Sequence, residues 1–201
     1  MNRLGLLLWK CCDPVYRAVR RFDYEDMGGT NVFRIRVRRF KGPDFRLPNG
    51  EELRRGEWVG ILHLYNVRLQ QLMNGISSEN RRSLLMIREA KRSLPELAEF
   101  VREHPRGQRV KALIGVTLLN RGVEPLGFHV GSVPDTWWYR FRNWYMLRIL
   151  SFCHPDGSKR LMRRREALVL KRVILLKDEL FRRYGQVEPR LVIDMEQEGT
   201  S

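Results

Sequence analysis

Val32-Phe33-Arg34-Ile35-Arg36-Val37-Arg38-Arg39-Phe40 reads as a β-strand with two unlike faces. Successive side chains of a strand point to opposite sides. Phe33, Ile35 and Val37 therefore share one face, while Arg34, Arg36 and Arg38 share the other. A strand of this kind needs an apolar layer on one side and water or an anionic partner on the other.

Outward from it, Phe45-Arg46-Leu47 and a strand after Glu51 flank Pro48-Asn49-Gly50, a hairpin signal. Glu57 to Tyr65 alternates again, with Val59, Ile61, His63 and Tyr65 on one face and Trp58, Leu62 and Leu64 on the other. A helix is predicted from Asn66 to about Met73. Ser78 opens a long helical stretch to His104, which Pro95 is expected to split into two helices meeting near Ser93. Val110 to Leu119 is apolar nearly throughout, as a central strand covered on both faces would be. Phe128 to Val130 extends the sheet, Val169 to Leu176 is a β-branched strand, and Lys177 to Tyr184 is a helix stopped by Gly185. Residues 3–22 read as helical in two pieces, with Asp13-Pro14 at the break. The sum is an α+β fold, a mostly antiparallel mixed sheet packed with several helices in a single domain over residues 1–185. Residues 186–201 form an acidic tail predicted to be disordered, with a weak strand signal at Arg190 to Ile193.

The 201 residues carry 38 basic and 23 acidic side chains, a net charge of +15, and 31 of the basic residues are Arg. Residues 109–184 alone hold 16 basic and six acidic side chains. Such a field favours anionic partners: anionic lipid, an anionic glycan precursor or nucleic acid. Cys11, Cys12 and Cys153 are odd in number and lack metal-ligand spacing, which fits a reduced, intracellular setting. The apolar start Leu4 to Trp9 ends at Lys10, too short for a secretory leader, and no run approaches the roughly 20 apolar residues of a spanning helix. The expected location is cytoplasmic, with peripheral contact at the membrane.

A second stretch, residues 137–152, holds seven of the chain's twenty aromatic side chains interleaved with Arg140, Arg142 and Arg148. Pro134-Asp135-Thr136 starts it as a helix, and His154-Pro155-Asp156-Gly157 ends it. Trp138, Phe141, Tyr145, Ile149 and Phe152 recur at helical spacing and are expected to face the core. The rim of Trp137, Trp144 and the three arginines suits an anionic lipid surface or base stacking beside phosphates. Lys159-Arg160 and Arg163, Arg164 and Arg165 add an anion-binding candidate, against the plainer reading of a solvated charge run.

No Gly-x-Gly-x-x-Gly, phosphate-binding loop, Gly-x-Ser-x-Gly or Cys-x-x-Cys is present, and no two histidines stand at i, i+4, so no metal site or cofactor is expected. A weaker constellation lies at strand ends: His63, Asn66, Thr117 and Arg121 could hold a polar or anionic ligand where strands meet helices. The plainer alternative makes Asn66 a helix cap, Thr117 a β-former, Arg121 a solvated charge and His63 a hydrogen-bonded core imidazole.

The order of segments resembles the YkoP-type domain family. The match runs through residues 32–43, Gly50, Gly56, Leu62-His63-Leu64-Tyr65-Asn66, Ala112 to Gly122, Leu126-Gly127-Phe128, Pro155-Asp156-Gly157 and Glu179 to Gly185. The resemblance implies a bacterial setting, with members that stand alone or are joined to polysaccharide deacetylase-like or glycosyltransferase domains. It does not imply deacetylation by this chain. Such enzymes use a Phe-Asp-Asp-Gly-Pro-like motif and a His-x-x-x-His pair, whereas Asp13, Asp44 and Asp135 stand alone here. The chain departs from the family at Asn120, Lys177 and the Asp13-Pro14 break.

The leading expectation is an accessory or binding domain of bacterial cell-envelope polysaccharide metabolism. Its partners would be an anionic membrane surface or glycan precursor, and a deacetylase or glycosyltransferase protein. A basic nucleic-acid-binding protein is the alternative, and an enzyme built on the strand-end constellation the third reading.

Overall fold

Residues 14, 17–26, 28–73, 75–76, 78–118, 120–153 and 168–185 are described by the structure, a computed structural model; the side chains of residues 66, 70, 79 and 148–153 fall outside that description. The expectations for Asp13, Lys159-Arg160, Arg163 to Arg165, the turn at 154–157 and the acidic tail also lie outside it.

The strands are β1 (Tyr24–Glu25), β2 (Phe33–Arg39), β3 (Phe45–Arg46), β4 (Glu52–Leu53), β5 (Trp58–Leu64), β6 (Val110–Thr117), β7 (His129–Ser132) and β8 (Lys171–Leu176). The helices are α1 (Asn66–Leu72), α2 (Glu79–Glu103), α3 (Trp137–Cys153) and α4 (Lys177–Tyr184). Six strands form one mixed sheet in the order β1-β2-β5-β6-β8-β7, and β3 and β4 form a separate two-stranded hairpin. Among the described strands of the large sheet, only β5 and β6 run parallel. The expected α+β class holds, and the apolar 110–117 segment is an interior strand.

One sheet face carries the main core. Phe33, Ile35 and Val37 of β2, Leu62 of β5, Leu113 of β6 and Val173 and Leu175 of β8 pack against Leu94, Leu97, Ala98 and Val101 of α2 and Leu180 of α4. Gly60 of β5 leaves room there, since a Cβ at that position would run into Leu113 Cδ2. The other face is capped at one end by the hairpin, where Phe40, Leu47 and Leu53 meet Val59, Ala112, Ile114 and Ile174. Gly50, at φ +87°, makes the hairpin turn at a backbone angle that other residues adopt only at a cost. Arg172 is buried on this same face, its guanidinium 4.0 Å from the Phe45 ring centroid.

The expected break at Pro95 does not occur, because α2 continues through it. Proline removes one backbone donor and crowds the preceding turn. Here the cost is offset by contacts made on either side of the proline. Ser93 Oγ donates to the Glu89 carbonyl (2.8 Å) and accepts the Val32 N–H (3.0 Å), and Asn31 Nδ2 donates to the Ser93 carbonyl (3.1 Å). Leu94, Leu97, Ala98 and Val101 are fully buried just around it, so splitting the helix would open the core.

The larger correction concerns α3. Trp138, Phe141 and Tyr145, expected to face inward, are 54%, 48% and 51% exposed, beside Trp137 at 74% and Trp144 at 54%. Ile149 and Phe152 fall among the side chains left undescribed. The half-buried side is instead Tyr139, Arg142, Asn143, Met146 and Leu147, again at helical spacing but turned away from the expected face. The segment is apolar around most of its circumference, so periodicity alone does not select a side. A specific bond does: Asn143 Oδ1 accepts the Leu170 N–H (3.1 Å), tying that flank to the chain entering β8.

Candidate functional site

His63 is the point where several cations gather. It lies on β5 directly opposite Arg34 of β2, while Arg36 stands opposite Ile61 and Arg38 opposite Val59. Directly opposed residues of an antiparallel pair share a face. Arg34, Arg36, Arg38 and His63 are therefore on the sheet face away from the main core, as the alternation at 32–40 predicts.

Arg34 is not a surface residue, contrary to its reading as part of an exposed arginine face; it is 1% exposed. Glu25 stands opposite it in β1, and Arg34 Nη2 forms an ion pair with Glu25 Oε1 at 2.5 Å. Its guanidinium also lies 3.7 Å from the Tyr65 ring centroid and 5.4 Å from that of Phe22. Arg17 Nε reaches the same carboxylate at 2.6 Å. A buried guanidinium needs this combination of counter-charge and flat aromatic contact to offset its lost hydration.

The segment before β1 brings in the next cation. A helical turn at 17–20 ends where Arg21 takes a left-handed φ of +49°, and the Arg21 N–H bonds to the Arg17 carbonyl at 2.8 Å. The chain then turns Phe22 onto the imidazole of His63, the ring centroids 5.2 Å apart in an edge arrangement. Arg20 of that turn and Arg142 of the half-buried flank of α3 add positive charge to the surroundings of His63. Burial, followed by the positive charges of Arg20, Arg142, Arg34 and Arg36, pushes the His63 imidazole down to about 3. Arg38 is likewise held below the usual guanidinium range, first by burial and then by Arg36 and Arg20. At neutral pH His63 is therefore an uncharged ring with donor and acceptor nitrogens, inside a strongly positive field.

His63 and Thr117 of the strand-end constellation do not share a face of the sheet. Ile61 pairs with Ile114 across the parallel β5–β6 contact. His63 and Thr117, two and three residues further on, are thus at the same end but on opposite faces. Thr117 shares its side with Leu113 and the main core, and Arg121 is exposed in the loop that follows. The capping position of α1 is Tyr65, without a side-chain cap bond; Asn66 is the first helical residue. Sequence reasoning missed Arg20, Phe22 and Glu25, which no periodicity links to His63.

Along the outer side of α3 the rings form a continuous ladder. Trp137 meets Trp138 edge-on at 6.0 Å, Trp138 meets Phe141 at 6.2 Å, and Phe141 stacks on Trp144 at 5.9 Å. Arg140, also exposed, is held by Asp135 through two bonds of 2.7 and 2.8 Å. Among the described residues, no helix is long and apolar enough to cross a membrane, and no three His, Cys, Asp or Glu side chains gather as a metal site would require.

The family model for the YkoP domain matches residues 2–184. The chain belongs to the YkoP domain family. A relative in Bacillus subtilis (strain 168), the uncharacterized protein YkoP, is 31% identical over 130 residues, covering 65% of this chain and 71% of its own length. No solved structure matches the chain significantly. The basic face and the aromatic ladder thus lie in a family domain spanning almost the whole of the described chain.

Proposed function

We propose that this YkoP-family protein is a binding domain that docks on an anionic membrane surface through α3. Its work there would serve envelope polysaccharide metabolism beside a deacetylase or glycosyltransferase protein. The observation that carries the docking is the ladder of Trp137, Trp138, Phe141 and Trp144, all about half exposed or more and in mutual contact. Monomeric proteins rarely expose a large contiguous apolar patch without a partner for it. Aromatic rings on one side of a helix, with cations close by, match the interfacial region of a bilayer, where apolar bodies bury and guanidinia meet headgroup phosphates. Charge favours the same occupant: the chain carries +15, and the helix itself contains Arg140, Arg142 and Arg148 but no acid. The envelope context rests on the company that the family resemblance implies.

Flotation of the full chain with vesicles tests the docking. Binding to vesicles containing phosphatidylglycerol but not to purely zwitterionic ones, lost in a W137A/W144A variant, is the expected result. Equal recovery with and without anionic lipid overturns it. Salt-dependent binding of single-stranded DNA in the absence of flotation would assign the ladder to base stacking instead. Deletion of the gene with no change in envelope polysaccharide would remove the metabolic context.

A further inference from the structure

Among the described residues the sheet buries two arginines, Arg34 and Arg172, and it holds them differently. Arg34 meets the carboxylate of Glu25. Arg172 of β8 is 7% exposed, and its guanidinium lies 4.0 Å from the Phe45 ring centroid. Among the described residues it meets no carboxylate and no carbonyl; the ring of Phe45 is its partner. Strand register surrounds it with uncharged positions. Val116 stands opposite it in β6, Gly131 opposite it in β7, and Ile174 two residues along the same side.

A buried charge without a counter-ion is costly, and a ring face replaces only part of the hydration it has lost. No nitrogen of Arg172 is both sealed from solvent and without a partner, so its donor edge reaches an opening. Gly131 gives that opening room. Directly opposed residues share a face, and a Cβ at Gly131 would meet nothing within 4 Å among the described residues. Other glycines of this sheet relieve crowding: a Cβ at Gly60 would run into Leu113, and one at Gly115 would press on Val173. Gly131 relieves none, and its missing side chain leaves the space beside Arg172 open.

We infer that Arg172, Gly131 and Phe45 form a binding site for the carboxylate group of a small organic acid. Phe45 takes the face of the guanidinium, which leaves the in-plane N–H donors for a planar acceptor that can use two of them at once. Charge selects carboxylate over phosphate. One guanidinium neutralises one negative charge in these uncharged surroundings, and the second charge of a phosphate would stay unpaired there. β7 is the outermost strand, so the site lies beside an edge of the sheet. It does not rest on the docking proposed for α3.

Titration of the full chain with benzoate at constant ionic strength, followed through the NMR signals of the Arg172 Nε–H and the Gly131 amide, tests the inference. Benzoate should shift both signals saturably, and benzamide, the same ring without the charge, should shift neither. Inorganic phosphate at equal concentration should leave the benzoate curve in place. R172Q should weaken binding at least about tenfold, the scale of one lost charge-assisted hydrogen bond. Since a buried arginine can also matter for folding, G131V is the second variant. Valine suits a strand and its Cβ has room, so stability should hold while the filled space lowers benzoate affinity at least about tenfold. R182Q, paired with Glu179 on α4, should bind like wild type. Shifts that do not saturate, equal shifts with benzamide, or a folded G131V that binds like wild type each overturn the inference and leave Arg172 as a packing partner of Phe45. Phosphate that binds more tightly than benzoate overturns the choice of carboxylate. W137A/W144A should bind benzoate like wild type whether or not it floats with vesicles, so the two proposals fail separately.

Discussion

Arg34 and Glu25 are cross-strand partners whose charged groups meet at 2.5 Å almost out of reach of water. Removing one partner of such a pair leaves the other buried and uncompensated, which costs about 3–5 kcal/mol. Glu25→Ala should therefore lower unfolding stability by that order in urea denaturation. Replacing both residues with apolar ones of similar volume should cost much less. A loss below about 1 kcal/mol for Glu25→Ala would mean that Tyr65 and Phe22 alone hold the guanidinium.

His63 should make the protein acid-sensitive. Its folded-state imidazole is held at about 3, below the ordinary value of 6.5, first by burial and then by the surrounding arginines. Between those two values the unfolded chain binds the proton that the folded chain refuses, so stability rises with pH there and is lost as pH falls from 6.5 toward 3. Each unit of depression corresponds to about 1.4 kcal/mol. His63→Gln should flatten this part of the stability profile relative to wild type. Parallel profiles for the two proteins would refute the assignment.

Ser93 supports both Pro95 in α2 and the start of β2. Its hydroxyl accepts the Val32 N–H at 3.0 Å where both residues are buried. Ser93→Ala strands that donor, at a cost of about 1–3 kcal/mol. Amide exchange at Val32 should quicken along with the loss in midpoint. Unchanged exchange would show that water takes the hydroxyl's place.

Trp138 separates a surface helix from a core one. Because it is half exposed, Trp138→Ala should change stability by no more than about 0.5 kcal/mol, whereas a packed tryptophan would cost about 3–5 kcal/mol. The same variant should float less well with anionic vesicles. A drop in stability of several kcal/mol would place the ring in the core after all.

Most of the architecture was legible because it depends on local alternation. The strands at 33–39 and 58–64, the Asn49-Gly50 hairpin and the helices at 66–72 and 177–184 follow from periodicity and turn chemistry. The α2 boundary at Ser78 was equally readable, its hydroxyl accepting the Arg81 N–H. Pro95 misled because a proline's cost is local while its offsets, Asn31 and Val32, lie some sixty residues away.

The pattern of residues 32–40 was enough by itself to put three arginines on one side of a strand and three apolar residues on the other. Side-chain alternation is a property of the extended backbone and needs no partner. What those arginines face was decided only by tertiary structure. Strand pairing set Glu25 and His63 opposite Arg34, the turn at Arg21 brought Phe22 against His63, and α3 chose its inward side through Asn143 rather than through its rings. Those contacts join residues far apart in the chain, so no local period encodes them. They turn a row of arginines into one buried ion pair and one basic cluster around a neutral histidine.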